Sequence, residues 1–376
     1  MRDRVVSLLS RILDRSRRPA DAEVPDPASI HRVLIIKPCC FGDVMMATPA
    51  LRALGLRFPE ASIDVLTTSW CAEALRNNPR IHSVYRYPDA ITVIGFLKLA
   101  RNIRQGHYEL GFSLDRSPIV NSLLFMSGIP ERAGIDSSGR GVGLTRRVTP
   151  RTGEHETDLY LRVAKSVGAG SDDAKPEYCA QSTARQAAGQ FLEGLPRPIV
   201  VIHPGGAVNP GASFLSKRWP AEMFGELATE LIQRHGASVV VVGAESDESA
   251  TQGTVDFTDG TVLDLSSKLS IPELAAVCER AQLFVGNDSG MSHLASAVGT
   301  PTVTIFGPTD PDMYRPLGPN SEVCSSGFKT TSAGARDLRR PLPETDENAD
   351  ISMVSVSDVL RSCGRLLAIS EPAGAS

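Results

Sequence analysis

The sequence predicts an α/β protein built from two Rossmann-like, doubly wound domains. Three observations carry this. A continuous apolar run, Val33-Leu34-Ile35-Ile36, has the character of a strand buried on both faces of a parallel sheet. A second such run, Ile199-Val200-Val201-Ile202, restarts the pattern after Pro196 and Pro198. Strand-like and helix-like segments alternate after each start, as parallel sheets with crossover helices require. The 376-residue length suits two domains.

In the first half, strands are expected at 33–36, 63–67, 82–87 and 110–114, and helices at 95–104, 117–127 and 155–167. A helical stripe (Val44, Ala47, Leu51, Leu54, Phe58) follows the first strand. Pro49 interrupts it, so the helix either kinks there or begins its regular part there with Thr48 as cap. In the second half, helices are expected at 181–193, 221–235, 271–280, 291–298 and 355–369. The strands expected there are 199–202, 239–242, 283–285 and 302–306. The resulting boundaries are an extension at 1–28, a first domain at 29–178, an interdomain segment at 179–198, a second domain at 199–350, and a C-terminal helix and tail at 351–376. Residues 325–350, rich in Gly, Ser and charge, read as loop.

Composition narrows the function. Net charge is -4, so nothing favours nucleic-acid binding, and an anionic ligand needs a local basic site. The seven cysteines form no CxxC pair and no zinc-spaced cluster, which points to a reduced cytoplasmic protein without structural metal. Residues 1–18 carry six arginines with Val5, Leu8, Leu9, Ile12 and Leu13 at helical spacing between them. This segment reads either as a basic amphipathic helix making peripheral contact with an anionic membrane face or as a solvated extension.

Three strand-end loops carry the candidate chemistry, because open α/β sheets bind ligands beyond the carboxyl ends of their strands. The first, Lys37-Pro38-Cys39-Cys40-Phe41-Gly42-Asp43, lacks the glycine spacing of a dinucleotide fingerprint. Asp43 is either a helix cap or a catalytic carboxylate, with Lys37 and Gly42 beside it. The second places His203, Gly205 and Gly206 after a buried strand, followed by Lys217-Arg218-Trp219-Pro220. Lys217 and Arg218 suit a phosphate, or form a surface pair beside a packed Trp219. The third, Asn287-Asp288-Ser289-Gly290-Met291-Ser292-His293, leads into a helix whose first N–H groups could take a diphosphate. Asp288 is alternatively a cap, and His293 a satisfied helix residue. Glu245 follows the 239–242 strand, where an acid can bind ribose hydroxyls.

Taken together, these segments resemble the ADP-heptose–lipopolysaccharide heptosyltransferases of glycosyltransferase family 9. The resemblance rests on the GDV and TPALRAL opening (33–54), His155-Glu156, the HPG and KRWP pair (203–220), VVVVGAESDE (239–248) and GNDSGMSHLASAVGTPTVTIFGPTDP (286–311). It implies a GT-B architecture, two Rossmann-like doubly wound domains facing across a cleft. It also implies Asp43 as catalytic base with Lys37 and Gly42 on the acceptor side, Lys217 for phosphate, Glu245 for ribose, and Asp288, Ser289, Gly290 and His293 for the donor diphosphate. The implied reaction is inverting transfer of a sugar, foremost heptose from ADP-heptose, to a glycan or glycolipid acceptor, with no metal or other cofactor. Pro38-Cys39-Cys40 departs from the small residues many members carry there, and 325–350 lacks their further cysteines. The alternatives are a family member using another nucleotide sugar or a natural-product acceptor, a nucleotide-sugar epimerase, and a non-catalytic binding protein.

Overall fold

The structure, a computed structural model, describes residues 23–170, 175–209, 212–258, 260–330 and 349–370. The basic segment 1–18 and most of the 325–350 stretch lie outside the described residues. The chain divides into two compact units, the first reaching Ala174 and the second starting at Lys175.

The first unit is a six-stranded parallel sheet in the order β3-β2-β1-β4-β5-β6. Its strands are β1 (Arg32–Ile36), β2 (Ser62–Thr67), β3 (Ser83–Arg86), β4 (Leu110–Ser113), β5 (Glu131–Ile135) and β6 (Arg146–Val148). Helices α1 (Phe41–Arg57), α2 (Ser69–Ala72), α3 (Val93–Gln105) and α4 (Pro118–Met126) lie in the crossovers, and α5 (Glu156–Lys165) follows β6. In β1, every residue from Val33 to Ile36 is buried, as the unbroken apolar run requires of a strand covered on both faces. One buried carboxylate interrupts this core. Asp64 on β2 accepts hydrogen bonds from the Tyr108 hydroxyl at 2.7 Å and from Arg32 at 3.1 Å, so its charge is paired.

The second unit repeats the plan. Its strands are β7 (Ile199–His203), β10 (Ser238–Val241), β11 (Leu263–Asp264), β12 (Leu283–Asn287), β13 (Thr302–Phe306) and β14 (Ser321–Ser325). They run parallel in the order β11-β10-β7-β12-β13-β14, the arrangement of the first sheet again. A short hairpin, β8 (Val208–Asn209) and β9 (Ala212–Ser213), leaves the end of β7. The helices are α6 (Ser182–Phe191), α7 (Ala221–His235), α8 (Glu248–Phe257), α9 (Ile271–Arg280), α10 (Gly290–Ala297), α11 (Pro311–Tyr314) and α12 (Val356–Ser370). Segment α6 packs on α9 and therefore belongs to this unit. On one face of the sheet, Trp219, Phe224, Leu227 and Leu231 pack with Val359, Cys363 and Leu366 of α12.

The helices start where local chemistry lets them. Thr92 caps α3 by accepting from the Gly95 N–H, and Ser117 caps α4 ahead of Pro118. Ser270 and Glu273 close a capping box on α9. The segments not expected from the sequence are short or poorly patterned. β5 and β6, the edge strand and its neighbour, carry Arg and Glu, and α8 contains Gly and Thr, which weaken a helix pattern. β14 pairs with β13 although its residues Ser321 to Ser325 show no apolar run.

Helix α1 runs through Pro49 without ending. A proline has no N–H, so the carbonyl four residues earlier loses its helical donor. Here that carbonyl belongs to Met45, and the Thr48 hydroxyl donates to it at 2.7 Å. The next carbonyl, Met46, accepts from the Thr157 hydroxyl of α5 at 3.1 Å. Thr48 is thus a partner inside the helix, not the cap of a helix starting at Pro49. Replacing Thr48, which is fully buried, with Val leaves the Met45 carbonyl without this donor. The variant should lose about 1–3 kcal/mol in urea unfolding, and an unchanged midpoint would show that the hydroxyl is dispensable.

Candidate functional site

In the first unit, chemistry collects where β1 and β4 end. Cys40 is the N-cap of α1, and Asp43 is its third residue, so Asp43 is not a cap. Its carboxylate lies in the first helical turn, where the dipole favours negative charge. Lys37 holds it at 2.8 Å. The same ammonium lies 3.9 Å from Asp115, just past β4, and donates to the Cys39 carbonyl. Burial alone would lower the Lys37 pKa, but Asp43, then Asp115 and Glu156, more than reverse this and hold it above its usual value. The Lys37 side chain is 6% exposed, whereas that of Asp43 is 34% exposed and reaches solvent. Beneath them, Arg116 makes a bidentate pair with buried Glu156, at 2.9 and 2.5 Å. The Lys37 ammonium also lies 5.9 Å from the ring centre of Tyr160. Gly42 is the second residue of α1.

One expectation is corrected here. Cys39 and Cys40 are joined to each other across a cis peptide, so they are not reduced thiols. Their adjacency brings the two sulfurs within bonding reach, a pairing overlooked when cysteines are read only for separated motifs.

In the second unit, the ends of β7, β10 and β12 are locked together. Asn287, the last residue of β12, donates to the carbonyls of Pro204 and Gly205 at 2.9 and 3.0 Å and accepts from the Trp219 N–H at 3.0 Å. Asp247 accepts from the N–H groups of Gly206 at 2.9 Å and Ala244 at 3.1 Å, and from Arg218 at 2.6 Å. His203 Nε2 lies 3.5 Å from the same carboxylate. A side chain at Gly205 would collide with Asp247, and one at Gly206, whose φ is +89°, would lie 2.6 Å from Ser289 Cβ. These glycines therefore serve close packing of the two loops.

Arg218 also donates to the Gly206 carbonyl at 2.9 Å, so it is a loop fastener and not the second phosphate cation. Trp219 is the packed anchor, 1% exposed. Lys217 pairs with Asp288 at 2.5 Å, and Asp288 is fixed in turn by the Thr309 hydroxyl at 2.6 Å. Asp288 is therefore a charge partner and not a helix cap. Ser289 is the N-cap of α10 and Gly290 its first residue, so the free N–H groups of that helix start beside Lys217. His293 is buried on α10. Glu245 is exposed at the end of β10 and has no side-chain partner among the described residues. Two buried polar atoms, His203 Nδ1 and Ser289 Oγ, have no hydrogen-bond partner among the described residues. Both flank Gly206. No three His, Cys, Asp or Glu side chains among the described residues group as metal ligands would.

The residues the sequence reading overlooked are Asp115, Asp247 and Asn287 in its role as a pin. Asp115 follows a buried strand as Asp43 does, so the same strand-end rule points to it. Nothing local marks Asp247 over Glu245, since only burial separates them.

These motifs lie within a chain whose residues 96–338 match the family model for glycosyltransferase family 9 (heptosyltransferase). The chain belongs to this family. It is a glycosyltransferase. Lipopolysaccharide heptosyltransferase 2 of Escherichia coli K12 is 27% identical to it over 310 residues, covering 78% of this chain and 87% of that protein. Two solved structures share its fold. The ADP-heptose LPS heptosyltransferase II of E. coli superposes with a TM-score of 0.72 at 23% identity, covering 91% of this chain and all of that one. A family 9 glycosyl transferase from Veillonella parvula gives a TM-score of 0.75 at 22% identity, covering 93% and 100%. Among the described residues, no helix is long and apolar enough to cross a membrane.

The Asp247 network yields a stability prediction with a defined pH dependence. Burial would raise the pKa of this carboxyl, but His203, followed by the Gly206 and Ala244 N–H groups, outweighs it and holds the value well below the usual carboxylate range. A depressed folded pKa stabilises the protein above the unfolded value of about 3.9, and the contribution is lost as pH falls below it. Asp247→Ala strands a part-buried Arg218 and should cost about 3–5 kcal/mol at pH 7 by urea unfolding. The gap from the parent should narrow toward pH 3. A gap independent of pH would place the effect in packing and not in charge.

Proposed function

We propose that this glycosyltransferase inverts configuration while moving heptose from ADP-heptose to a hydroxyl of a lipopolysaccharide-core acceptor. The observation that carries the reading is the Asp43 carboxylate, fixed by Lys37 yet partly open to solvent at the carboxyl end of a central parallel strand. The relatives named for lipopolysaccharide heptosyl transfer support the donor and acceptor.

In this reading Asp43 accepts the proton of the acceptor hydroxyl as its oxygen bonds to the anomeric carbon. The bond from that carbon to the diphosphate oxygen breaks, and the electron pair leaves with ADP. The transition state carries positive charge on the sugar ring, as in glycoside hydrolysis. Negative charge grows on the leaving diphosphate, where Lys217 and the first N–H groups of α10, at Ser289 and Gly290, stabilise it. Asp288 holds Lys217 in place for this. Glu245, exposed and unpartnered, takes the ribose hydroxyls. The buried His203 Nδ1 and Ser289 Oγ gain partners from bound donor oxygens, which recovers the cost of leaving them unpaired. A single carboxylate acting as base, with no second one acting as nucleophile, gives inversion. A fixed ammonium and a helix terminus supply the charge that a metal ion would otherwise bring, so the transfer is proposed to need none.

Asp43→Asn tests the base. The variant should keep the parent's unfolding midpoint and ADP affinity while turnover falls by about 10²–10⁴. Turnover close to the parent's would remove Asp43 from the chemistry. The donor is tested by competition. ADP should displace a bound nucleotide probe more strongly than UDP or GDP, because a site that hydrogen-bonds one base leaves its own polar atoms unpaired with another. The constants should be the same with EDTA present. UDP or GDP binding at least as well as ADP would overturn the donor, and a requirement for added Mg²⁺ or Mn²⁺ would overturn metal independence.

A further inference from the structure

The loop that follows β2 lies beside the one that carries Asp43. β1 and β2 are neighbours, with Ile36 opposite Leu66, so both chains leave the same edge of the sheet side by side. The Thr68 N–H donates to the Pro38 carbonyl at 3.2 Å and ties the two loops together. Trp70 stands two residues further on, as the second residue of α2. Its ring centre lies 5.9 Å from that of buried Phe41, tilted at 46°, and Phe41 is two residues before Asp43. The next residue, Cys71, feels the charges of both Lys37 and Asp43. The Trp70 side chain is thus backed by the first turn of α1, the turn that also carries Asp43.

Trp70 is also exposed, at 38%, and its indole N–H has no partner among the described residues. Tryptophan is the side chain with most to gain from burial, and a large rigid ring left at a ligand-binding edge is suited to recognition. The other tryptophan of the chain, Trp219, shows the contrast. It is 1% exposed, and its indole N–H donates to the Val354 carbonyl at 2.9 Å.

We propose that Trp70 is an acceptor subsite, a platform on which a sugar ring of the acceptor stacks by its apolar C–H face while the indole N–H donates to a ring hydroxyl. Phe41 braces the indole from behind, so little side-chain freedom is lost on binding. The platform contributes binding that is the same in the ground and transition states, so it acts on acceptor affinity. It takes no part in proton transfer and makes no contact with the leaving diphosphate. The assignment rests on the reading of Asp43 as the base that receives the acceptor.

The test uses the full chain, ADP-heptose, and deacylated lipopolysaccharide-core oligosaccharide as probe. Trp70→Ala should raise the acceptor KM at least about tenfold, with donor KM and kcat at saturating acceptor within about twofold. Trp70→Phe, which keeps a stacking face without the N–H, should fall between the two. Because the chain has only two tryptophans and Trp219 is buried, acrylamide quenching reports Trp70 in the unmodified protein. The oligosaccharide should protect this emission, and ADP alone should not. If the parent transfers heptose but Trp70→Ala leaves the acceptor KM unchanged, or if the oligosaccharide gives no protection, the platform is wrong and the functional reading stands. If the parent neither binds nor glycosylates the oligosaccharide, the platform falls together with the proposed acceptor.

Discussion

Backbone groups at the carboxyl ends of parallel strands have no ladder partner, and this constraint shapes both units. Each loop that leaves a strand end must find other donors and acceptors or lose the cost of burying them. The second unit meets the demand with two side chains. Asp247 collects N–H groups from the loops after β7 and β10, and Asn287 collects carbonyls from the loop after β7 together with the Trp219 N–H. In the first unit, Lys37 serves the Cys39 carbonyl, and α1 repairs the break at Pro49 through Thr48. The groups that organise the loops are thus distinct from those that remain exposed for chemistry. Asp43 and Glu245 project from a frame whose loop backbones are largely tied, while His203 Nδ1 and Ser289 Oγ stay without a partner among the described residues.

The two sheets share one strand order but carry different equipment at equivalent places. After the first central strand comes a carboxylate held by a lysine. After the second comes a glycine pair that allows close backbone approach, with a lysine held by a carboxylate. Polarity is thereby reversed between the units. In one the acid is the partly open member of its pair, and in the other both Lys217 and Asp288 are mostly enclosed. This division suits a reaction that removes a proton from one substrate and stabilises an anion on the other.

Much of this was legible from sequence because parallel strands buried on both faces announce themselves as unbroken apolar runs, and ligand loops lie at their ends. The central strands, the three candidate loops and most long helices follow from that rule. What it missed has a common cause. β5, β6 and β14 carry charged or polar residues because they lie toward a sheet edge, and their pairing comes from neighbours far along the chain. The distinction between Arg218 as fastener and Lys217 as cation, or between Asp247 as brace and Glu245 as exposed acid, depends on which of two adjacent-looking residues is turned inward. Local pattern does not encode that. The Cys39–Cys40 bond escaped for a different reason, since adjacent cysteines fall outside the spacings by which cysteine frameworks are usually read.

The two hydrogen bonds of Trp219 tie distant parts of the second unit into one mechanical element. Its main-chain N–H holds Asn287 at the root of the loop into α10, while its indole N–H holds the Val354 carbonyl just ahead of the last helix. The C-terminal segment is therefore ballast for the loop between β12 and α10, although none of its residues is a candidate for ligand contact. Truncation or tagging that disturbs residues around Val354 would act on a loop more than sixty residues upstream in sequence. In a chain trimmed for expression, such an edit would register at the start of α10, far from the cut.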